Sequence, residues 1–291
     1  MVAETFYLFL TKFMTKFPEY KGRDFYITGE SYAGHMIPAI SSYIVEQNNP
    51  DINLISTAIG NGWVKPIVQY PAYQTYAAEN NLIGPFHSIY LKVGFWICQN
   101  LIKFEFRKLA FKECNNILMS IVGEPDYRFN VYNINEECKY PPLCYDMSGV
   151  SKLFQQDNIK KILGVGDRKW TECNVNVQSK FFERDWNLDL STKVRQTLEG
   201  GVGVFVYSGD LDFACNWRGG EAWTNEIFWE KQHLFQTAQY QTWRVDGEEA
   251  GEFKQIDNFT FLRVYEAGHM VPMDQPKRSL EMLKKFISHE F

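Results

Sequence analysis

The sequence predicts an α/β fold: a mostly parallel sheet flanked by helices, with a helical insertion in its middle. Three observations carry this. Short apolar runs of strand character recur and hand over to amphipathic helices. Three of these runs end in residues that bear chemistry, as strands of parallel sheets do at their carboxyl ends. The strand–helix alternation stops near residue 71 and resumes near 187. The predicted organisation is therefore residues 1–70 as the first part of the core, 71–186 as a helical cap, and 187–291 as the second part of the core.

The first run is Asp24-Phe25-Tyr26-Ile27-Thr28. It leads into Gly29-Glu30-Ser31-Tyr32-Ala33-Gly34, and then into residues 35–47, where Ile37, Ile40, Ile44 and Val45 recur at helical spacing. A Ser between small residues at a strand-to-helix turn is the nucleophile elbow of the α/β-hydrolases. The turn lifts the hydroxyl out of the sheet, and the helix start offers backbone N–H groups to a developing oxyanion. The fifth position is Ala33, where the motif usually has Gly.

After Leu54–Ile59, the next strand run, the alternation lapses. Tyr73–Asn80, Ile89–Lys108 and Ser151–Leu163 read as helices among loops carrying Pro and Cys. The core resumes with a helix from Leu188 and then the strand Val202–Ser208, which runs into Gly209-Asp210-Leu211-Asp212. A hairpin pattern follows around Asp246-Gly247. The last strand, Phe259–Glu266, leads to Gly268-His269-Met270-Val271-Pro272, and an amphipathic helix, Lys277–Phe286, closes the chain. The order Ser, Asp, His along the chain is that of the α/β-hydrolase triad. The chemistry needs all three: His takes the Ser proton, and a carboxylate on its other nitrogen fixes the tautomer and stabilises the imidazolium.

Composition agrees with a large core, with 45% hydrophobic and 16% aromatic residues. Of the aromatics in the cap and near the strand ends, Trp170, Trp186, Trp217, Trp223 and Trp229, most are expected in the core and a few along an apolar pocket. The net charge of −5 and the lack of a basic tract exclude nucleic acid as a partner. No run is long enough to span a membrane. The start is not a signal peptide: Phe6, Phe9, Leu10, Phe13 and Phe17 interleave with Glu4, Lys12 and Lys16 in a helical pattern whose apolar face is made for a core.

Several stretches together resemble the serine carboxypeptidase family, of the carboxypeptidase Y and cathepsin A type. They are Lys16-Phe17-Pro18-Glu19-Tyr20, Gly29–His35, Ile59-Gly60-Asn61-Gly62, Tyr207–Asp212 with Cys215-Asn216-Trp217, and Gly268–Pro272. The resemblance implies an α/β-hydrolase core with a helical cap over the site, and peptide or protein C-termini as substrate. It implies Ser31 as nucleophile, His269 as base and Asp212 as triad acid. It implies Tyr32 as a backbone oxyanion donor, Glu30 as a holder of the substrate's terminal carboxylate, and Cys215 and Met270 beside the substrate. Neither metal nor organic cofactor is implied. Activity favoured in acid, a lysosomal, vacuolar or secreted location and an open question of a homodimer come with it.

Two departures stand out. Family members carry a Trp-Asn-Gly-Gly-Pro-Gly-Ser-Ser type segment well ahead of the nucleophile, with a second oxyanion donor, an Asn for the terminal carboxylate and then a partner acid for Glu30. Only thirty residues precede Ser31 here, so the chain is expected to lack the family's N-terminal third and first strands. Met36 stands where relatives usually have Tyr, which implies a packing change at most.

Of six cysteines, Cys138 and Cys144 are spaced to close a short loop, and Cys98 and Cys114 flank a helical, charged segment. The resemblance implies a disulfide for each pair, a Cys173 whose partner is missing, and a free Cys215. Metal binding is the alternative, but there is no Cys-x-x-Cys and no His cluster. Asn258-Phe259-Thr260 is a sequon for N-glycosylation, unless it lies inside a strand and stays unmodified. Three other functions compete with a carboxypeptidase. An acyltransferase would use the same triad with an alcohol acceptor. A general esterase is disfavoured by Glu30, an acid whose burial beside the site needs a use. A truncated, inactive binding or protective protein is the third.

Overall fold

The computed structural model describes residues 2–123, 126–141 and 143–291, with Glu183 by its backbone alone. The chain begins with α1 (Val2–Lys16) and a 3-10 turn, then β1 (Asp24–Glu30), α2 (Ala33–Gln47) and β2 (Asn53–Gly60). Six helices follow: α3 (Pro66–Glu79), α4 (Pro85–Lys103), α5 (Arg107–Val122), α6 (Ser148–Phe154), α7 (Asp157–Leu163) and α8 (Val175–Arg184). The alternating pattern returns with α9 (Ser191–Glu199), β3 (Gly203–Gly209), α10 (Trp217–Asn225) and α11 (Gln232–Thr237). β4 (Gln241–Val245), β5 (Glu248–Ile256), β6 (Phe259–Val264), α12 (Val271–Asp274) and α13 (Pro276–Ser288) complete it.

The strands form one sheet in the order β1-β2-β3-β6-β5-β4. β1, β2, β3 and β6 run parallel, with Thr28 opposite Ala58, Gly60 opposite Tyr207 and Gly209 opposite Val264. β5 and β4 add an antiparallel edge. Parallel strands place their carboxyl ends along one rim. Ser31, Asp212 and His269, which follow β1, β3 and β6, therefore gather there although up to 238 residues separate them. The β4–β5 hairpin turns on Asp246 and Gly247 at φ 51° and 85°, the pair of left-handed residues that a two-residue hairpin loop demands.

Period-two burial fills both faces of the sheet. Val204, Val206, Phe259 and Phe261 pack with Leu10 and Met14 of α1, with Ile37, Ile40 and Ile44 of α2, and with Trp223 and Phe235. Phe205, Leu262 and Val264 face the other way, against Met282 and Phe286 of α13. Each such side chain contributes about 1.5–3 kcal/mol on burial. α1 packs as a core helix on one side only: Leu8 and Phe9 on its other side are more than half exposed. Met36 packs against the first core, as its apolar character implies.

No strand lies between β2 and β3 among the described residues. The intervening helices bury a third core rich in aromatics: Trp63, Tyr70, Tyr73, Tyr76, Phe95 and Phe213. The boundary expected at residue 70 falls inside α3. The helix expected over 89–108 breaks after Lys103, where Glu105 turns left-handed at φ 60°, and a separate helix, α5, begins at Arg107. The helix expected over 151–163 divides at Gln155–Gln156. α8 carried a start signal in Asn174, whose side chain accepts from the Asn176 and Val177 amides at 3.1 and 3.2 Å. Disulfides join Cys98 to Cys114 and Cys138 to Cys144, while Cys173 (exposed) and Cys215 (buried) are free. No helix among the described residues is long and apolar enough to cross a membrane.

The strand-to-helix turn leaves no spare volume. A Cβ placed on Gly29 would lie 2.7 Å from the Ala33 Cβ and 3.2 Å from Ile37 Cδ1. Gly29 and Ala33 thus face each other, and one methyl is all the pair accommodates. That is why Ala is tolerated at the fifth position as long as the first is Gly. Gly29→Ala is expected to cost about 2–3 kcal/mol by overpacking. A drop in melting temperature of roughly 5–10 °C would register it.

Candidate active site

The site is built from four strand ends. Ser31 sits at the turn between β1 and α2 with φ 62°, a left-handed conformation costly for a residue with a side chain and typical of strained functional positions. The turn is tied from both sides. The Ser31 amide donates to the Gly60 carbonyl at 3.0 Å, and the Ser31 carbonyl accepts from the Gly34 and Trp63 amides at 3.0 Å each. Tyr32 precedes α2 as its N-cap residue, so its amide is among those that a helix start leaves without an internal partner. Its ring stacks on His35 at 5.1 Å and on Trp186 at 5.9 Å, which joins the turn to the segment after α8.

Asp212 is fully buried beyond the end of β3. Its Oδ2 accepts three hydrogen bonds: from Asn61 Nδ2 at 2.7 Å, from His269 Nδ1 at 2.7 Å and from the Cys215 amide at 3.2 Å. Such donors offset the cost of burying a carboxylate away from water. His269, 2% exposed, is pulled two ways. Burial pushes its pKa down, but the charge and hydrogen bond of Asp212, with the charge of Glu30, outweigh it, and the net direction is up. The Ser31 hydroxyl makes no hydrogen bond to His269 among the described residues, so only the Asp–His half of the candidate triad is closed. Such bonds often tighten only once substrate is bound.

Asp210, two residues before Asp212, belongs to the frame. Its carboxyl faces Arg263 at 3.7 Å and its carbonyl accepts from the Tyr76 hydroxyl at 2.7 Å. Glu30 is half-buried beside Ser31. Its pKa is pushed up to about 7, first by burial and then by the charges of Asp212 and Asp274, with His269 opposing. Glu30 and Met270 line one cleft of about 440 Å³ with Tyr145, Met147, Pro272 and Met273. Cys215 is buried, and burial pushes its thiol up, with Asp212 and Glu30 adding. Asn258 lies in the β5–β6 turn, its side-chain amide donating to the Leu198 and Val202 carbonyls at 3.3 and 3.0 Å, bonds that a glycan on that nitrogen would break.

Asn61 is the residue that sequence reasoning passed over. It lies in the Ile59–Gly62 stretch, where the pattern by itself assigns it no role. It sits just past β2, left-handed at φ 42° and fully buried, and spans the gap to Asp212. Its own amide is held by the Tyr207 carbonyl at 2.8 Å. The signal was available: a polar residue between two glycines, directly after a buried strand, on the rim where the other strand ends meet.

This geometry has known counterparts. Residues 1–289 match the family model for serine carboxypeptidases, and the chain belongs to that family. It is 39% identical over 300 residues to serine carboxypeptidase 3 of Oryza sativa subsp. japonica, covering 98% of this chain and 58% of that protein. It is 38% identical over 307 residues to carboxypeptidase Y of Komagataella phaffii, covering 100% of this chain and again 58% of the relative. Among solved structures it superposes on Kex1(delta)p, a prohormone-processing carboxypeptidase from Saccharomyces cerevisiae, with a TM-score of 0.84 and 29% identity, over 99% of this chain and 66% of that one. The fold is thus the α/β-hydrolase fold of that family. The chain spans somewhat under two thirds of the length of these curated relatives.

The two aspartates can be told apart. In an active preparation Asp212→Asn is expected to lower kcat by roughly four orders of magnitude, because an amide would fix the wrong His269 tautomer. Asp210→Asn leaves that hydrogen bond alone and should cost little. A larger loss at position 210 would move the triad acid. Removing the Asn61 donor should cost about 1.5–3 kcal/mol, the worth of a hydrogen bond to a charged group. Denaturant unfolding of Asn61→Ala at neutral pH measures it.

Proposed function

We propose that this protein is a serine-type carboxypeptidase that removes the last residue of a peptide through an acyl-enzyme on Ser31, best in acid. Ser31 Oγ attacks the carbonyl carbon of the terminal peptide bond while His269 Nε2 takes its proton. Asp212 holds the imidazole and stabilises its charge. The Tyr32 amide steadies the oxyanion. Collapse breaks the C–N bond, and His269 returns the proton to the leaving amine. Water then attacks the acyl-Ser31 ester with His269 again as base. The segment 71–186 acts as a cap that narrows the choice of side chain, with Met270 and Cys215 among the walls. Disulfides within the cap suit an oxidising setting, a vacuole, lysosome or the secretory route.

One observation carries this reading over a general esterase: Glu30, half-buried next to Ser31, with its pKa pushed up to about 7. Below about 7 the carboxyl is neutral and can donate a hydrogen bond to the substrate's terminal carboxylate. Above it the ionised form repels the same group. KM for peptides is therefore expected to climb as pH rises through 7, while peptide amides, which lack the charge, respond less. His269 works against this: its pKa is raised, so protonation of the base lowers kcat as pH falls, and the preference for acid rests on the Glu30-dependent fall in KM outweighing that loss.

Two measurements test the proposal. A fluorophosphonate should label Ser31 in the active enzyme and fail on Ser31→Ala; full labelling of that variant would point to another nucleophile. Glu30→Gln keeps a donor without the titration, so it should flatten the pH dependence of KM. A variant whose KM still climbs as in the parent would remove Glu30 from carboxylate recognition and return the esterase to the lead.

A further inference from the structure

Asp212 and His269 sit on separate loops that also meet through their backbones: the Leu211 amide donates to the Ala267 carbonyl at 2.8 Å, and that of Asp210 to Val264 at 3.0 Å. A third body touches both. It is the turn at 130–136, inside the cap and far in sequence from either loop. The Val131 carbonyl accepts from the Phe213 and Ala214 amides at 3.1 and 2.8 Å, and the Ile134 amide donates to the Leu211 carbonyl at 3.0 Å. The His269 amide itself donates to the Tyr132 carbonyl at 2.7 Å. The Tyr132 ring lies 5.2 Å from the His269 imidazole. The approach is so close that a Cβ on Gly268 would stand 2.1 Å from the Tyr132 carbonyl oxygen.

The turn owes its shape to two buried asparagines. Asn130 is 0% and Asn133 7% exposed. Burying an amide side chain is costly unless its polar atoms are used. Both use them on their own turn: Asn130 Oδ1 accepts from the Tyr132 amide at 2.9 Å, and Asn133 Oδ1 from the Asn135 amide at 3.2 Å. The Asn130 amide donates to the Glu136 carbonyl at 2.9 Å and the Asn133 amide to the Asn130 carbonyl at 3.1 Å, closing the loop on itself. Asn133 Nδ2 also reaches Asp274 Oδ2 at 3.4 Å, the oxygen that holds the Gly268 amide at 2.7 Å. Beyond the turn, Cys138–Cys144 ties the chain, and Tyr145 returns to within 5.9 Å of the Tyr132 ring.

We propose that the 130–136 turn is a positioning element for the Asp212–His269 pair and that Asn130 is the residue that sets it. The cap then does more than cover the site. It supplies the template on which the histidine loop is laid, and a shift of the turn is a shift of the imidazole. Its consequence for catalysis rests on the carboxypeptidase reading above; its consequence for the Asp212–His269 hydrogen bond does not.

The first test therefore reads that bond directly. In this chain the His269 Nδ1–H proton should give a strongly deshielded NMR resonance, assigned by its loss in Asp212→Asn. Asn130→Ala removes the acceptor for the Tyr132 amide and should broaden or abolish that signal in a protein whose sheet remains folded. Asn130→Ser restores a shorter acceptor and should recover it. An Asn130→Ala protein with the parent's resonance overturns the proposal. If Asn130→Ala does not fold, amide exchange of the unaltered chain decides: Phe213, Ala214, Ile134 and His269 should open together, below the protection of β3 and β6. Unrelated protection at Ala214 and His269 overturns it equally. In the active enzyme the same Asn130→Ala should lower kcat about ten- to a hundredfold, the scale of a small misplacement of a catalytic group, with KM within about twofold. A resonance lost in Asn130→Ala, when the unaltered active enzyme cleaves esters but no peptide, would sink the carboxypeptidase reading and leave the turn's role standing.

Discussion

The arrangement turns on one buried charge. Asp212 has no exposed surface, and a carboxylate without partners would be costly there. Its Oδ2 instead gathers donors from three places: Asn61 after β2, Cys215 on its own loop and His269 after β6. The Cys215 amide is a local donor three residues on; those of Asn61 and His269 come from far along the chain. The two distant donors require a parallel neighbour strand to end at the same height as β3, and the parallel register delivers this. Weakening the sheet between β2 and β6 would therefore be felt first as an unsatisfied carboxylate. Breaking up a buried charge and its partners is among the more destabilising changes a core can suffer.

A second constraint is local. Ser31 holds a left-handed backbone that most residues avoid, and it persists because three backbone hydrogen bonds pin the turn from both sides. One of these comes from Trp63, whose indole N–H also donates to the Trp186 carbonyl at 2.9 Å. The same region holds His35, with ring nitrogens 2.5 and 2.9 Å from the Trp63 and Asp185 carbonyls. The turn, the loop after β2 and the segment after α8 thus share one hydrogen-bonded seam.

What the sequence revealed, and what it hid, follows from the range of the interactions. The β1 turn, the Asp strand, the His strand and the hairpin at Asp246–Gly247 are written in contiguous residues: apolar runs, small residues at turns and an acid or histidine just past a strand. The helices of the cap were harder. α4 and α5 read as one because nothing in Phe104–Phe106 signals a break; Glu105 turns left-handed without a glycine. α6 and α7 divide at two glutamines, which are good helix formers. Asn61 and Asn130 stayed silent for a different reason. An asparagine near a glycine or in a loop reads as a turn former, and both are that. Their reach to Asp212 and to the histidine loop comes only from tertiary contacts.

The placement of the two disulfides divides the molecule in a way that secondary structure does not. Cys98–Cys114 and Cys138–Cys144 both lie between β2 and β3, and no strand of the sheet carries a cross-link. Closing loops with sequence separations of 16 and 6 limits the freedom of the unfolded chain by about 3 and about 2 kcal/mol respectively. Reduction would return that freedom to the unfolded chain, and the folded chain would feel the missing cross-links most directly in the insertion that holds both. A population of reduced molecules could keep a native sheet, and a native spectrum dominated by it, while the walls beside Glu30 lose their order. For this chain, passing a test of foldedness and having a formed pocket are separate attainments, and the thiol chemistry of its surroundings bears most directly on the second.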